Sequence, residues 1–176
     1  MADALRKSIE DAIEEGQLKL GYRSETIRLY YPLSSLCALT GREADAAAMT
    51  RVLADFSAEN EGELGALAVS RKGERFCIAV GPKGAAWVHE HTNPNGFLAD
   101  FIAAIGRHGC TMEELLDVFH RHSDCVRVEA LHNGEFDWLV YFEDGRPDDY
   151  RYCIADEGCH LTYHRFTEAD YRAFGF

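Results

Sequence analysis

The sequence predicts an α+β fold, with a mainly antiparallel sheet of about 6–7 strands on which N-terminal helices and a central helix pair pack. Two observations support this prediction. Predicted strands come in runs instead of alternating with single helices, and residues 136–167 show the pattern of three strands joined by two turn-rich connections. The first sixty or so residues, by contrast, have mostly helical periodicity.

The N-terminal part is predicted to be helical. Residues 3–20 keep apolar side chains on one face, and Gly21 is a suitable helix stop. The segment Tyr22–Pro32 fits either a short helical turn or an extended strand. Short and longer helices are predicted at residues 34–39 and 43–57.

Strands are predicted to follow this helical part. The runs Leu64–Ser70, Arg75–Val80 and Ala85–His91 are apolar and short, which is typical of strands. Residues 71–74 and 81–84 contain the glycines and the proline that favour turns between them.

The central helix pair is predicted from its start signals. Asn93-Pro94 fits a helix start, because Asn caps helices and Pro suits their first position. Thr111 with Glu114 three residues later forms a capping-box pattern for the second helix. A strand at Cys125–His132 and a hairpin turn at Asn133-Gly134 are predicted next.

The last part of the chain is predicted to be an antiparallel meander followed by a short helix that Thr167 caps. Its three strands alternate, so every second side chain shares a face. The alternating residues are Trp138, Val140 and Phe142 in the first strand, Tyr150, Tyr152 and Ile154 in the second, and Leu161, Tyr163 and Arg165 in the third.

One domain is predicted for residues 1–176, with a helical part at 1–60 and a sheet-containing part at 61–176. The acidic stretch Ser57–Glu63 is predicted to be a joint within that domain. The chain has no long apolar run and no signal-peptide pattern at its N-terminus. We therefore expect a cytoplasmic protein.

The net charge of −12 narrows the classes of partner. An acidic chain repels phosphate backbones, and no cluster of Lys and Arg is visible, so neither nucleic acid nor membrane is expected as a partner. The charge is explained either by solubility alone or by a basic protein partner.

The six cysteines do not predict a disulfide framework, because no export signal and no CxxC pair are present. One couple has chemical potential. Cys159 and His160, with His164 on the same strand face as His160, resemble a nucleophile and its base. The alternative is an ordinary, partly buried cysteine.

A metal site is an alternative hypothesis for the histidines. His89 and His91 would lie on the same face if residues 85–91 form a strand, and His132 or His164 would supply a third ligand for zinc or another divalent metal. The competing interpretation is a pair of exposed histidines at a strand end. The acidic loop 143–149 is predicted to be a solvated hairpin, since it lacks the alternation of a calcium loop.

Tyrosine and arginine are dense in two segments, and both residue types are enriched at the centres of protein interfaces. We therefore predict a binding surface there. The alternative is that the tyrosines pack at a sheet edge. The candidate residues are Tyr22, Arg23, Arg28, Tyr30, Tyr31, Tyr150, Tyr152 and Tyr163.

Two blocks, Tyr22–Pro32 and Tyr141–Thr167, resemble a family of short bacterial proteins of unknown function found in anaerobic gut bacteria. The resemblance implies a single intracellular domain and carries no catalytic motif. Phosphate-loop, dinucleotide-binding, nucleophile-elbow and HExxH motifs are absent from the sequence. The sequence therefore favours a non-enzymatic binding module, without a cofactor, for a partner protein or small ligand. The alternative is a metal-dependent hydrolase that uses the histidine cluster.

Overall fold

A computed structural model of the chain describes residues 2–92, 95–131 and 133–174. Over these residues the chain forms seven helices and seven strands, and the pairing of the strands is antiparallel throughout. The predicted α+β class is confirmed. The strands are divided between a three-stranded and a four-stranded sheet. None of the helices described combines the length and the apolar character needed to cross a bilayer.

The chain divides into two compact units, Met1–Asn93 and Pro94–Phe176. The elements of the first unit are α1 (Ala2–Leu20), β1 (Ile27–Pro32), α2 (Leu33–Thr40), α3 (Ala46–Leu64), β2 (Ala68–Lys72), β3 (Arg75–Val80) and α4 (Pro82–His91). Its sheet has the strand order β1-β3-β2, so β3 is central. The predicted first helix, its stop at Gly21 and the strand at Arg75–Val80 are confirmed.

One face of the three-stranded sheet carries the core of this unit. Phe76, Ile78 and Val80 alternate along β3 and are completely buried. They belong to one apolar cluster with Leu5 and Ile9 of α1. Full burial of such side chains contributes roughly 1.5–3 kcal/mol each, so this face holds the helices on the sheet.

Three stretches of the first unit differ from the sequence prediction. The strand predicted at Leu64–Ser70 is Ala68–Lys72 in the structure, and Leu64 belongs to α3. Residues 85–91 were predicted as a strand but belong to α4, and Pro82 lies in the first turn of that helix, where its fixed φ is suitable. The stretch Ser57–Glu63 was predicted as a joint but continues α3 to Leu64. Gly84 lets the two helices approach closely, because a Cβ at Gly84 would lie 2.3 Å from the carbonyl oxygen of Leu64.

The second unit contains α5 (Gly96–Ile105), α6 (Met112–His122), β4 (Val126–Ala130), β5 (Trp138–Phe142), β6 (Arg151–Asp156), β7 (Leu161–Phe166) and α7 (Glu168–Phe174). Its sheet has the order β4-β5-β6-β7, in which sequential strands pair as neighbours. This is the predicted meander, extended by β4, which pairs with β5.

The central strands β5 and β6 of the four-stranded sheet are covered on both faces within the second unit, whereas β4 is mostly exposed. On one face, Phe97 and Phe101 of α5 and Phe119 of α6 pack against Val140 and Tyr152. This confirms the central helix pair on the sheet. On the other face, a smaller apolar cluster is formed by Phe136, Leu139 and Cys153, with Phe166 and Tyr171 against it.

The helix starts of the second unit follow local capping rules. The Glu114 backbone N–H donates to Thr111 Oγ1, and the Thr111 backbone N–H donates to the Glu114 carboxylate, so the predicted capping box is confirmed. The predicted start at Asn93-Pro94 lies outside the described residues. Asn95 caps α5 in this structure, accepting bonds from two backbone N–H groups of the first turn.

Candidate functional site

The side of the three-stranded sheet that faces away from the core is the candidate site, and we call it the open face. Residues directly opposite each other in an antiparallel pair point to the same side. The register therefore places Tyr30 beside Cys77 and Arg28 beside Ala79. The residues that define the open face are Arg28, Tyr30 and Pro32 of β1, Arg75, Cys77 and Ala79 of β3, and Ala68, Ser70 and Lys72 of β2.

The charge of the open face is entirely positive. Its charged residues are Arg28, Lys72 and Arg75, and all three are exposed. None of the residues that define the face, all of which the structure describes, is an Asp or Glu. On a chain of net charge −12, the open face is therefore a local basic surface.

Tyr30 is the prominent aromatic residue of the open face, with 65% of its surface exposed. Its cross-strand neighbour in β3, Cys77, is small, and so is Ser70, which lies opposite Cys77 in β2. The tyrosine ring thus stands beside a floor of small side chains. A partner can contact the ring from the side as well as from above.

The remaining predicted residues of this segment take different positions. Tyr22, 50% exposed, and Arg23 lie in the bend that precedes β1. Tyr31 points to the core side of the sheet, where its hydroxyl lies 3.1 Å from Ser8 Oγ of α1. Successive side chains of a strand point to opposite faces, so Tyr31 lies on the core side while Tyr30 lies on the open face. Tyr31 is therefore a packing residue.

The predicted tyrosines of the second unit face its interior. Tyr152 has no exposed surface, so its prediction as a surface contact residue is wrong. Its ring packs edge-on against Phe101, and Tyr163 packs against the same ring with a centroid distance of 4.7 Å. Tyr150 is half-buried beneath the guanidinium of Arg165. These aromatic residues face α5 and α6 because the helices cover that side of the sheet.

A buried polar cluster that was not predicted from the sequence lies around Asp148. The side chains of Asp148 and Arg165 are only 3% and 4% exposed, and their nearest oxygen and nitrogen atoms are 3.6 Å apart. The Asp148 carboxylate also accepts hydrogen bonds from the Tyr152 hydroxyl at 3.0 Å, the Asn95 side-chain amide at 3.1 Å and the Tyr150 backbone N–H at 2.9 Å.

This cluster joins the loop before β6 to β7 and to the start of α5. Burial raises the pKa of Asp148, while the positive charge of Arg165 and the hydrogen bonds from Tyr150 and Tyr152 oppose that rise. The loop 143–149 was predicted as solvated, which is wrong for Asp148. The sequence did contain a signal for the buried cluster. Arg165 follows Leu161 and Tyr163 at alternate positions of one strand, and a charge on a core face requires a buried partner.

The geometry that motivated the metal hypothesis is absent at His89 and His91. Both residues lie in α4, where positions two apart are separated by about 200° around the helix axis. Their side chains therefore do not face one ion. His91 stacks on Trp87 with a centroid distance of 4.7 Å, and its Nδ1 lies 2.9 Å from the Trp87 carbonyl oxygen.

The other predicted metal ligands add no support. His164 lies on β7, where it packs edge-on against Phe136 at 5.6 Å. His132 lies outside the described residues. Within the described part of the chain, no group of three or more His, Cys, Asp or Glu side chains is arranged to hold a metal ion.

The chain belongs to the family described as "Domain of unknown function, E. rectale Gene description" (DUF3877), whose family model matches residues 2–175. The family resemblance predicted from the sequence is thereby confirmed. No curated protein and no solved structure gives a significant match to the chain. The family description names no activity.

Proposed function

We propose that this member of the DUF3877 family is a non-enzymatic binding module that holds a partner protein on its open face. The observation that carries the proposal is the exposure of Tyr30 and Arg28 side by side on a sheet face without carboxylates. Small-molecule sites are concave, whereas this face is one side of a sheet, so a protein is the more suitable occupant.

Tyr30 and Arg28 are the proposed anchors of the interface. Tyrosine and arginine carry a disproportionate share of the binding energy in protein interfaces. A tyrosine also contributes a large contact area while losing little conformational freedom. Because the two residues are two positions apart on one strand, roughly 7 Å, a single partner segment can contact both.

The floor of the open face favours close approach by that segment. Ala68, Ser70, Cys77 and Ala79 are all small, and they lie on the side of the two anchors that faces the rest of the sheet, since β1 is an edge strand. A partner side chain can thus lie against the sheet beside the Tyr30 ring. Dense packing around an aromatic residue excludes water, and interface residues contribute most of the binding free energy where water is excluded.

The charge of the face favours an acidic partner segment. The net charge of −12 by itself is explained either by solubility or by a basic protein partner. At physiological ionic strength, however, exposed charges more than about 8 Å apart are largely screened. Contacts at the face are therefore governed by Arg28, Lys72 and Arg75, which match carboxylates in the partner.

The proposal is tested by affinity capture with the full chain from a lysate of its source organism, followed by titration of each captured protein in purified form. The test variant combines Arg28→Glu with Tyr30→Ala. Loss of one hot-spot anchor costs about 2 kcal/mol, or roughly thirtyfold in Kd. We expect at least this loss for the double variant, measured by calorimetry.

The matched control combines Arg51→Glu with Leu20→Ala. Arg51 is exposed on α3 and Leu20 is 64% exposed at the end of α1, so charge and apolar surface change to a similar extent away from the open face. The control is expected to bind as the wild type does. Equal binding by the test variant, capture of no protein, or capture of nucleic acid in place of protein would each contradict the proposal.

A further inference from the structure

The turn between β6 and β7 brings three reactive side chains together. The backbone N–H of Glu157 donates to the carbonyl of His160 at 3.0 Å, and Gly158 has a φ of 86°, which favours glycine. In this tight turn, Sγ of Cys159 lies 3.2 Å from Nδ1 of His160. Nε2 of the same ring lies 3.2 Å from the Glu157 carboxylate.

The order of these groups is that of a nucleophile, its base and a residue that orients the base. One neutral tautomer of His160 satisfies both contacts, since Nε2–H donates to Glu157 and Nδ1 accepts the thiol proton of Cys159. The Thr162 hydroxyl donates to the other Glu157 oxygen at 3.2 Å and holds the carboxylate. His164, predicted as a partner of this couple, packs against Phe136 instead.

The other cysteines differ from Cys159 in access or in surroundings. Cys110 and Cys153 are buried, and Cys37 and Cys77 are half-buried. Cys125 is exposed like Cys159, but its described hydrogen bonds are backbone contacts with Ser123 and Glu143. Burial raises the pKa of Cys153 to about 11, which keeps that thiol protonated at neutral pH. Cys159 therefore combines access with an adjacent imidazole.

We propose that Cys159 is a modification site that forms a mixed disulfide with low-molecular-weight disulfides. His160 Nδ1 takes the thiol proton, and the Cys159 sulfur attacks one sulfur of the disulfide R–S–S–R. The S–S bond of the reagent breaks as the Cys159–S–S–R bond forms. The departing thiolate takes the proton from His160 and leaves as RSH, so Cys159 is oxidised and half of the reagent is reduced.

The test uses the full-length, reduced protein with oxidised glutathione as the probe. Rates of glutathione addition at each cysteine are followed at neutral pH by peptide mass spectrometry. We expect Cys159 to react on the order of tenfold faster than Cys125, which is the internal control for exposure. His160→Gln is expected to bring the Cys159 rate close to that of Cys125, whereas His164→Gln, on the adjoining strand β7, leaves it unchanged.

Glu157 is a positioning residue that acts through His160. Glu157→Gln is expected to slow Cys159, and the same change made in the His160→Gln protein is expected to have no further effect. If Glu157→Gln acted by a general loosening of the turn, it would instead slow Cys159 further in the His160→Gln protein. The proposal is overturned if Cys159 reacts less than about threefold faster than Cys125, or if His160→Gln leaves its rate unchanged.

Discussion

In β3 of the three-stranded sheet every second side chain is buried, whereas in β6 of the four-stranded sheet Tyr152, Cys153 and Ile154 are buried one after another. Successive side chains of a strand point to opposite faces. The first sheet is therefore covered on one face, whereas the central strands of the second are covered on both. Two antiparallel sheets in one chain thus have different surfaces available for binding.

Because of this difference, the four-stranded sheet serves mainly the stability of the fold, whereas the three-stranded sheet also has a face that is available for recognition. The four-stranded sheet uses both faces for burial, with α5 and α6 on one side and the cluster around Leu139 on the other. The three-stranded sheet leaves Arg28 and Tyr30 in water. A sheet face that is left uncovered contributes nothing to the core, so its side chains are free to match a partner.

The same substitution in the two sheets gives the largest expected contrast. Tyr152→Ala removes a completely buried ring and its hydrogen bond to Asp148, so we expect a loss of about 3–5 kcal/mol in the free energy of unfolding. Tyr30→Ala on the open face is expected to change it by less than about 0.5 kcal/mol. Urea denaturation of both variants measures the difference. Similar losses in the two would show that the open face is covered in solution.

Removal of a positive charge is expected to show a smaller contrast. Arg165→Met leaves the buried Asp148 carboxylate without its cation, at a cost of about 3 kcal/mol. Arg28→Met, on the open face, is expected to stay within about 0.5 kcal/mol of the wild type. The measurement is again the free energy of unfolding at pH 7. If Arg165→Met is neutral, the cluster does not depend on this pair.

Close packing beside the core of the three-stranded sheet is tested at two glycines. A Cβ at Gly84 would meet the Leu64 carbonyl oxygen at 2.3 Å, so Gly84→Ala is expected to destabilise the protein by about 1–3 kcal/mol. Gly62 in α3 has no atom within 4 Å of such a Cβ, and Gly62→Ala is expected to stabilise by about 0.5–1 kcal/mol. The midpoint temperature of thermal unfolding should fall for Gly84→Ala and rise for Gly62→Ala.

The pH dependence of the free energy of unfolding is expected to reflect the buried thiol of Cys153. Burial raises the pKa of Cys153 from 9.0 to about 11. Between these values the unfolded chain has lost the proton that the folded chain keeps, so stability falls as the pH rises. Cys153→Ala should make this fall shallower, because it removes the group whose pKa differs between the folded and the unfolded chain. Parallel curves for wild type and Cys153→Ala would contradict the assignment.

Local sequence signals predicted the elements whose determinants lie close together in the chain. The first helix, the strand Arg75–Val80, the capping box at Thr111 and the meander that ends the second unit all rest on residues a few positions apart. In each, periodicity and stop signals agree with the final packing, so propensity and tertiary structure favour the same element.

The errors arose where distant residues decide the outcome. The run at 85–91 is short enough to fit a strand or a helix, and it is helical where Ala85 and Val88 join the core of the first unit. Likewise, Tyr30 and Tyr31 look equivalent in the sequence. Which of them faces water depends on the side of β1 that α1 covers, and this cannot be read from the segment itself.

The buried cluster around Asp148 has a consequence for the point during synthesis at which the second unit can fold. Asn95 stands at the start of the second unit, Asp148 follows 53 positions later, and Arg165 lies on the last strand. A nascent chain that has reached Asp148 but not β7 therefore holds the carboxylate and its amide donor without the cation. We expect this unit to acquire its native stability only after β7 has emerged from the ribosome.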